Sequence, residues 1–136
     1  MTAIIRFEDI EAWKTSRQLT NSVYEHTNQV DFGRDFGLKD QIRRASVSIM
    51  SNIAEGFESR IDVQFTNFLG IARASAGEVR SQLYIAFDQE YITEQQFKDT
   101  YALAEMCARQ IARFMKYLEA NPRPRRISDD ATDYEA

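Results

Sequence analysis

A chain of 136 residues fits a single domain and can bury roughly two thirds of its unfolded surface. Its one cysteine, Cys107, rules out an intramolecular disulfide and fits a reducing cytoplasm, where it reads as a small core hydrophobe. The net charge of -4 argues against a protein that coats nucleic acid with its whole surface. No apolar run approaches the ~18 residues of a membrane span, and Met1-Thr2-Ala3-Ile4-Ile5 gives way to Arg6 without a signal-length apolar segment.

The only prolines are Pro122 and Pro124, so long helices can run uninterrupted up to residue 122. The first helix is predicted from about Glu8 to Gln29, with Ile10, Trp13, Thr20, Val23, Tyr24, Thr27 and Val30 recurring at three- and four-residue steps. Asp31 to Gly37 carries two glycines and reads as a break. The second helix runs from about Leu38 to Glu58 on a stripe of Leu38, Ile42, Ala45, Ile49, Asn52, Ile53 and Gly56. Asp62 then reads as the N-cap of a third helix, from about Val63 to Gln89. Its stripe is Phe65, Phe68, Leu69, Ala72, Ala76, Val79, Leu83, Ala86 and Phe87. Thr93 and Gln96 have capping-box spacing, so the fourth helix starts there and runs to about Asn121, where Pro122 ends it. Phe97, Tyr101, Ala104, Cys107, Ile111, Phe114, Met115 and Leu118 form its inward face. Short connections between helices of similar length imply antiparallel neighbours. The fold class is therefore all-α, an antiparallel up-down four-helix bundle over residues 1–121, and the charged tail 122–136 reads as disordered.

Several motifs are more specific than this pattern. Phe7-Glu8-Asp9-Ile10 with Trp13 and Tyr24 opens the chain, and Phe36-Gly37-Leu38 precedes Gln41-Ile42-Arg43-Arg44-Ala45. Ser48-Ile49, Ser51-Asn52-Ile53-Ala54-Glu55-Gly56, Phe65 with Phe68-Leu69, Ile71-Ala72, and Ser75 with Glu78 follow. In these motifs the chain resembles the bacterial four-helix-bundle family that includes proteins encoded in intervening sequences of large-subunit ribosomal RNA genes. Accessory subunits of diversity-generating reverse transcriptases belong to the same family. The resemblance implies a homopentameric ring and association with nucleic acid, RNA or DNA, or with a nucleic-acid enzyme such as a reverse transcriptase. It carries nothing over to the fourth helix or the tail.

Three constellations stand out as candidate sites. Arg44, Ser48, Ser51 and Glu55 share one face of the second helix. Arg44 and Glu55 lie ~16 Å apart along its axis, so each needs a partner from another helix or subunit. With Asn52, expected to bond across to a neighbouring helix, they read as a structural polar network. On the third helix, Gly70, Ala74, Gly77, Ser81 and Ile85 line the face opposite the core stripe. Each interior glycine costs ~1 kcal/mol relative to alanine, which suggests close approach by another subunit. On the fourth helix, Arg109, Arg113 and Lys116 share a face and lead to Arg123, Arg125 and Arg126. A solvated face is the commoner meaning of such a run, and phosphate contact is the functional one.

Catalytic, metal and cofactor sites are not expected. His26 is the single histidine, no cysteine pair exists, and no glycine-rich phosphate loop is present. The sequence thus reads as a cytoplasmic, non-enzymatic, homo-oligomeric accessory or scaffold protein for nucleic acid or a nucleic-acid enzyme. The competing reading is a self-assembling structural or protein-interaction module without nucleic-acid affinity.

Overall fold

The computed structural model describes residues 4–122. A single 3-10 turn, Phe7–Asp9, precedes α1 (Glu11–Thr27), α2 (Val30–Arg34), α3 (Phe36–Glu58), α4 (Asp62–Asp88) and α5 (Glu94–Ala120). No strand occurs among the described residues.

Cross-helix pairs fix the arrangement. Thr20 reaches Ser46 O and Arg43 reaches Thr27 between α1 and α3, so these helices run antiparallel. Ser75 meets Ser48 between α4 and α3. Phe87 meets Phe97, and Tyr84 meets Tyr101, between α4 and α5. Ala12 O accepts from Cys107, and His26 bonds Thr100, between α1 and α5. The long helices therefore pack in the cyclic order α1, α3, α4, α5, and the expected antiparallel bundle is what forms.

Its core holds Ile10, Leu19, Val23, Ile42, Ile49, Ile53, Phe65, Leu69, Val79, Leu83 and Ile111, all essentially inaccessible. Removing such side chains from water contributes ~1.5–3 kcal/mol each. The predicted stripes of the last three long helices face the core, although Asn52, Phe68, Phe97, Tyr101, Phe114 and Met115 are only half-buried and Phe87 is exposed.

Helix starts follow local chemistry. Thr93 Oγ1 accepts from Gln96 N at 3.1 Å and Gln96 Oε1 accepts from Thr93 N at 2.9 Å, completing the expected capping box. Asp35 caps α3 by accepting from Leu38 N at 3.1 Å, so α3 begins two residues before Leu38. Asp62 is not an N-cap: Ile61 holds that position, and Asp62 is the first helical residue, where its carboxylate still suits the positive end of the dipole.

The predicted first helix is interrupted at its start. The Asp9 carboxylate accepts from Ile5 N and Arg6 N at 3.0 and 3.1 Å. These two backbone bonds hold it below the usual carboxylate range and stabilise a separate 3-10 turn. The predicted break between the first two long helices contains α2. One turn is too short to persist from propensity. Here Phe32, 1% exposed, stacks on Tyr91 and pins it to the bundle.

Candidate functional site

The three predicted constellations fare differently. The polar face of α3 points outward because Ile42, Ile49, Ile53 and Gly56 take the inward face. Arg44 Nε pairs with Asp40 of its own helix at 2.8 Å, with both side chains mostly exposed. Such a pair contributes at most ~0.5 kcal/mol. Glu55 is exposed and has no ion pair among the described residues. Asn52 does not reach another helix: its Nδ2 donates to Ser48 O at 2.8 Å and Ser48 Oγ at 2.9 Å. The short amide is satisfied by the carbonyl one turn back. The polar link to α4 runs instead from Ser75 Oγ to Ser48 Oγ, 3.0 Å. Among the described residues of one protomer, Arg44, Asn52 and Glu55 therefore form no network.

The small-residue face of α4 is bare. Ala74, Ser81 and Ile85 are exposed, and Gly70 and Gly77 are half-buried. A Cβ at Gly70 would meet nothing within 4 Å, and one at Gly77 only Arg80 Nη2 at 3.8 Å. Among the described residues no packing demands either glycine. Val63, Ile71 and Tyr84 are also exposed on this helix.

On α5, Arg109, Arg113 and Lys116 are all exposed. The Arg109 guanidinium is held by Glu105 at 2.9 Å. Arg113 walls a hollow of about 360 Å³ together with Ile4, Asp9, Gln110, Phe114 and Tyr117. Arg123, Arg125 and Arg126 lie outside the described residues, as does the tail beyond Pro122.

Two arrangements escaped the sequence. Arg43 lies over the Tyr24 ring, 4.2 Å from its centroid. It donates from Nε to Thr27 Oγ1 at 2.8 Å and from Nη2 to Asn28 Oδ1 at 3.0 Å. Tyr24, Thr27 and Asn28 stand at helical spacing, but only the α1–α3 register shows that they converge on one arginine. The second is His26, buried against α5 with Nε2 2.7 Å from Thr100 Oγ1 and Nδ1 without a partner. Burial pushes its pKa below the ordinary value of 6.5, with Glu25 opposing.

The sign of that shift sets a pH dependence. The unfolded chain protonates His26 near pH ~6.5, whereas the folded chain resists. Stability is thus fullest above that pH and falls as pH drops through it toward the lowered folded value. Urea melts at pH 7.5 and 5.5 should show the loss for the wild type. His26→Gln should flatten it, and equal slopes for both proteins would refute the assignment.

Chemically reactive groups are muted elsewhere. The Cys107 thiol is buried and pushed up to about 12 by desolvation, which keeps it protonated. Among the described residues no three His, Cys, Asp or Glu side chains cluster as metal ligands. No helix among them is long and apolar enough to cross a membrane.

The bundle has a structural relative. A crystal structure of a protein with unknown function from the S23 ribosomal protein family of Bacteroides thetaiotaomicron aligns with a TM-score of 0.71 and 24% identity. The alignment covers 77% of this chain and 98% of that one, and the two share the fold. No curated protein matches the chain. Residues 8–113, which span α1 to α4 and most of α5, match the family described as 23S rRNA-intervening sequence protein. With that span matched, the chain belongs to the 23S rRNA-intervening sequence protein family.

Proposed function

We propose that the chain is a non-enzymatic helical-bundle scaffold that assembles with copies of itself and serves nucleic acid or a nucleic-acid enzyme. The outward face of α4 carries this reading. Val63, Ile71 and Ile85 stand exposed on the helix that carries Gly70, Ala74, Gly77 and Ser81. A lone bundle would expose this face to water at no advantage, and contiguous apolar surface of this kind marks contact sites. Small residues let a second helix approach closely, and a closed ring, a pentamer by family resemblance, buries every copy of the face. The exposed row Arg109, Arg113 and Lys116 supplies cations for phosphates, and repetition around a ring multiplies a weak contact.

Gly77→Leu is the direct test. Within the protomer a Cβ at residue 77 meets only Arg80 Nη2, at 3.8 Å, so helicity should be kept or slightly raised. Light scattering should show a large assembly for the wild type and a monomer for the variant. A monomeric wild type at micromolar concentration would overturn the reading. The second reading, an assembly module with no nucleic-acid affinity, is favoured by the net charge of -4 and by Glu105 on Arg109. Duplex binding across a salt series separates the two, because phosphate contacts weaken steeply with salt. Arg109→Glu, Arg113→Glu and Lys116→Glu together should abolish any such binding.

A further inference from the structure

The start of α3 holds an open hollow of about 530 Å³ walled by Phe36, Gly37, Lys39, Asp40 and Arg43. Its volume lies within the ~300–1,000 Å³ of ordinary small-molecule sites. Phe36 is 76% exposed, an unusual position for a phenyl ring. Gly37 adds no side chain beside it, and a Cβ there would touch only Asp35 Oδ1 at 3.9 Å.

The charges around the ring are not balanced. Arg43 is fixed by stacking on Tyr24 and by two neutral acceptors, Thr27 and Asn28. Among the described residues no carboxylate pairs with it, and only two of its N–H groups are engaged. Lys39 has no ion pair among the described residues, while the Asp40 carboxylate is taken by Arg44 at 2.8 Å. The Asp35 carboxylate next to the ring is engaged by Leu38 N and the Tyr91 hydroxyl. Lys39 and Arg43 thus outnumber the one carboxylate in the wall, Asp40, on an acidic protein, and the exposed Phe36 ring shares that wall. An apolar peptide would leave both cations facing apolar groups. A duplex keeps its bases inside the stack, out of reach of the ring.

We propose that this hollow binds one unit of a single-stranded nucleic acid, its base stacked on Phe36 and its phosphate held by Lys39 and Arg43. The site rests on the nucleic-acid part of the function proposed above, but lies on α3 rather than on the basic row of α5. Base stacking on aromatic rings tolerates any base, so binding is sequence-indifferent. Arg43 is pre-organised, so little rotamer freedom is lost when its planar guanidinium meets a phosphate.

The test is fluorescence anisotropy with a labelled single-stranded oligoadenylate of about 12 nucleotides, an abasic oligomer of equal length, and a duplex. Phe36→Ala should weaken oligoadenylate binding roughly 5- to 150-fold with an unchanged salt slope and an unchanged melt. Lys39→Gln should lower the slope by about 0.7. The abasic oligomer should bind as weakly to the wild type as oligoadenylate binds to Phe36→Ala. Unchanged oligoadenylate affinity in Phe36→Ala, or equal affinity for the abasic oligomer, would overturn the site. So would a fall in assembly size on Phe36→Ala, which would make the ring a contact between copies. Duplex binding lost with the α5 charges, together with single-strand binding indifferent to Phe36, would overturn this inference alone. No binding of any nucleic acid at low salt would overturn the nucleic-acid reading itself and the site with it.

Discussion

Phe65→Ala is expected to destabilise the bundle by about 3–5 kcal/mol, a fall of about 10–20 °C in melting midpoint for a domain of this size. Phe65 is 1% exposed and sits where three helices meet. Its ring lies 6.2 Å from Phe57 of α3 and 5.4 Å from Phe114 of α5. Truncation empties a space that neither neighbour can fill without leaving its own contacts, so the cavity persists. The control is Phe87→Ala on the same helix: that ring is more than a third exposed, and its loss should cost about 1 kcal/mol or less. Thermal melts of the two variants decide the matter, and equal losses would contradict the burial.

Gly56→Leu should also be damaging, for the opposite reason. A Cβ at residue 56 would stand 2.7 Å from Phe65 Cδ1 and 2.9 Å from Phe68 Cβ. The second of these is anchored to the α4 backbone, so α3 and α4 must move apart. Overpacking costs ~1–3 kcal/mol and sometimes more, and with contacts this short it outweighs the ~1 kcal/mol gained by removing a helix-interior glycine. Gly70→Leu separates the two effects, since it takes the same propensity gain with open space around it. Calorimetry should show Gly56→Leu melting far below Gly70→Leu. Adding Phe65→Ala to Gly56→Leu should restore part of the loss, a coupling that a double-mutant cycle measures. Absence of that coupling would mean that the two residues do not meet.

Such contacts explain what could be read in advance. Helices α3, α4 and α5 carry apolar stripes with a clean period, and their inward faces were legible from residue type alone. The capping box at Thr93 was legible because it is local chemistry. Helix α1 was harder. Its inward face includes Ala12, Thr15, Ser16, Leu19, Val23, His26 and Thr27, which is half polar. Ser16, Thr20 and Thr27 can be buried because their hydroxyls bond carbonyls of their own helix. The predicted stripe named the buried Thr20 and Thr27, but it admitted Tyr24 and Val30, both exposed, and missed Leu19. The candidate sites were less legible for a related reason. Periodicity says which residues share a face, but not whether that face meets solvent or another helix. Arg44 and Arg43 are adjacent in sequence, yet one pairs idly with Asp40 and the other is locked against α1.

The cyclic order of the helices bears on how the chain is made. Three of the four seams join long helices that follow one another in sequence, and only the α1–α5 seam joins the two ends. During synthesis α3 and α4 can pair as soon as both have emerged, because a helical hairpin needs little loop closure. Helix α1 is translated first but completed last. Leu19 and Val23 wait with one flank uncovered until α5 arrives, bringing Thr100 to His26 and Cys107 to the carbonyl of Ala12. The nascent chain thus carries α1 half covered until α5 has been made, an interval in which a chaperone, or another copy, is the nearest substitute for α5.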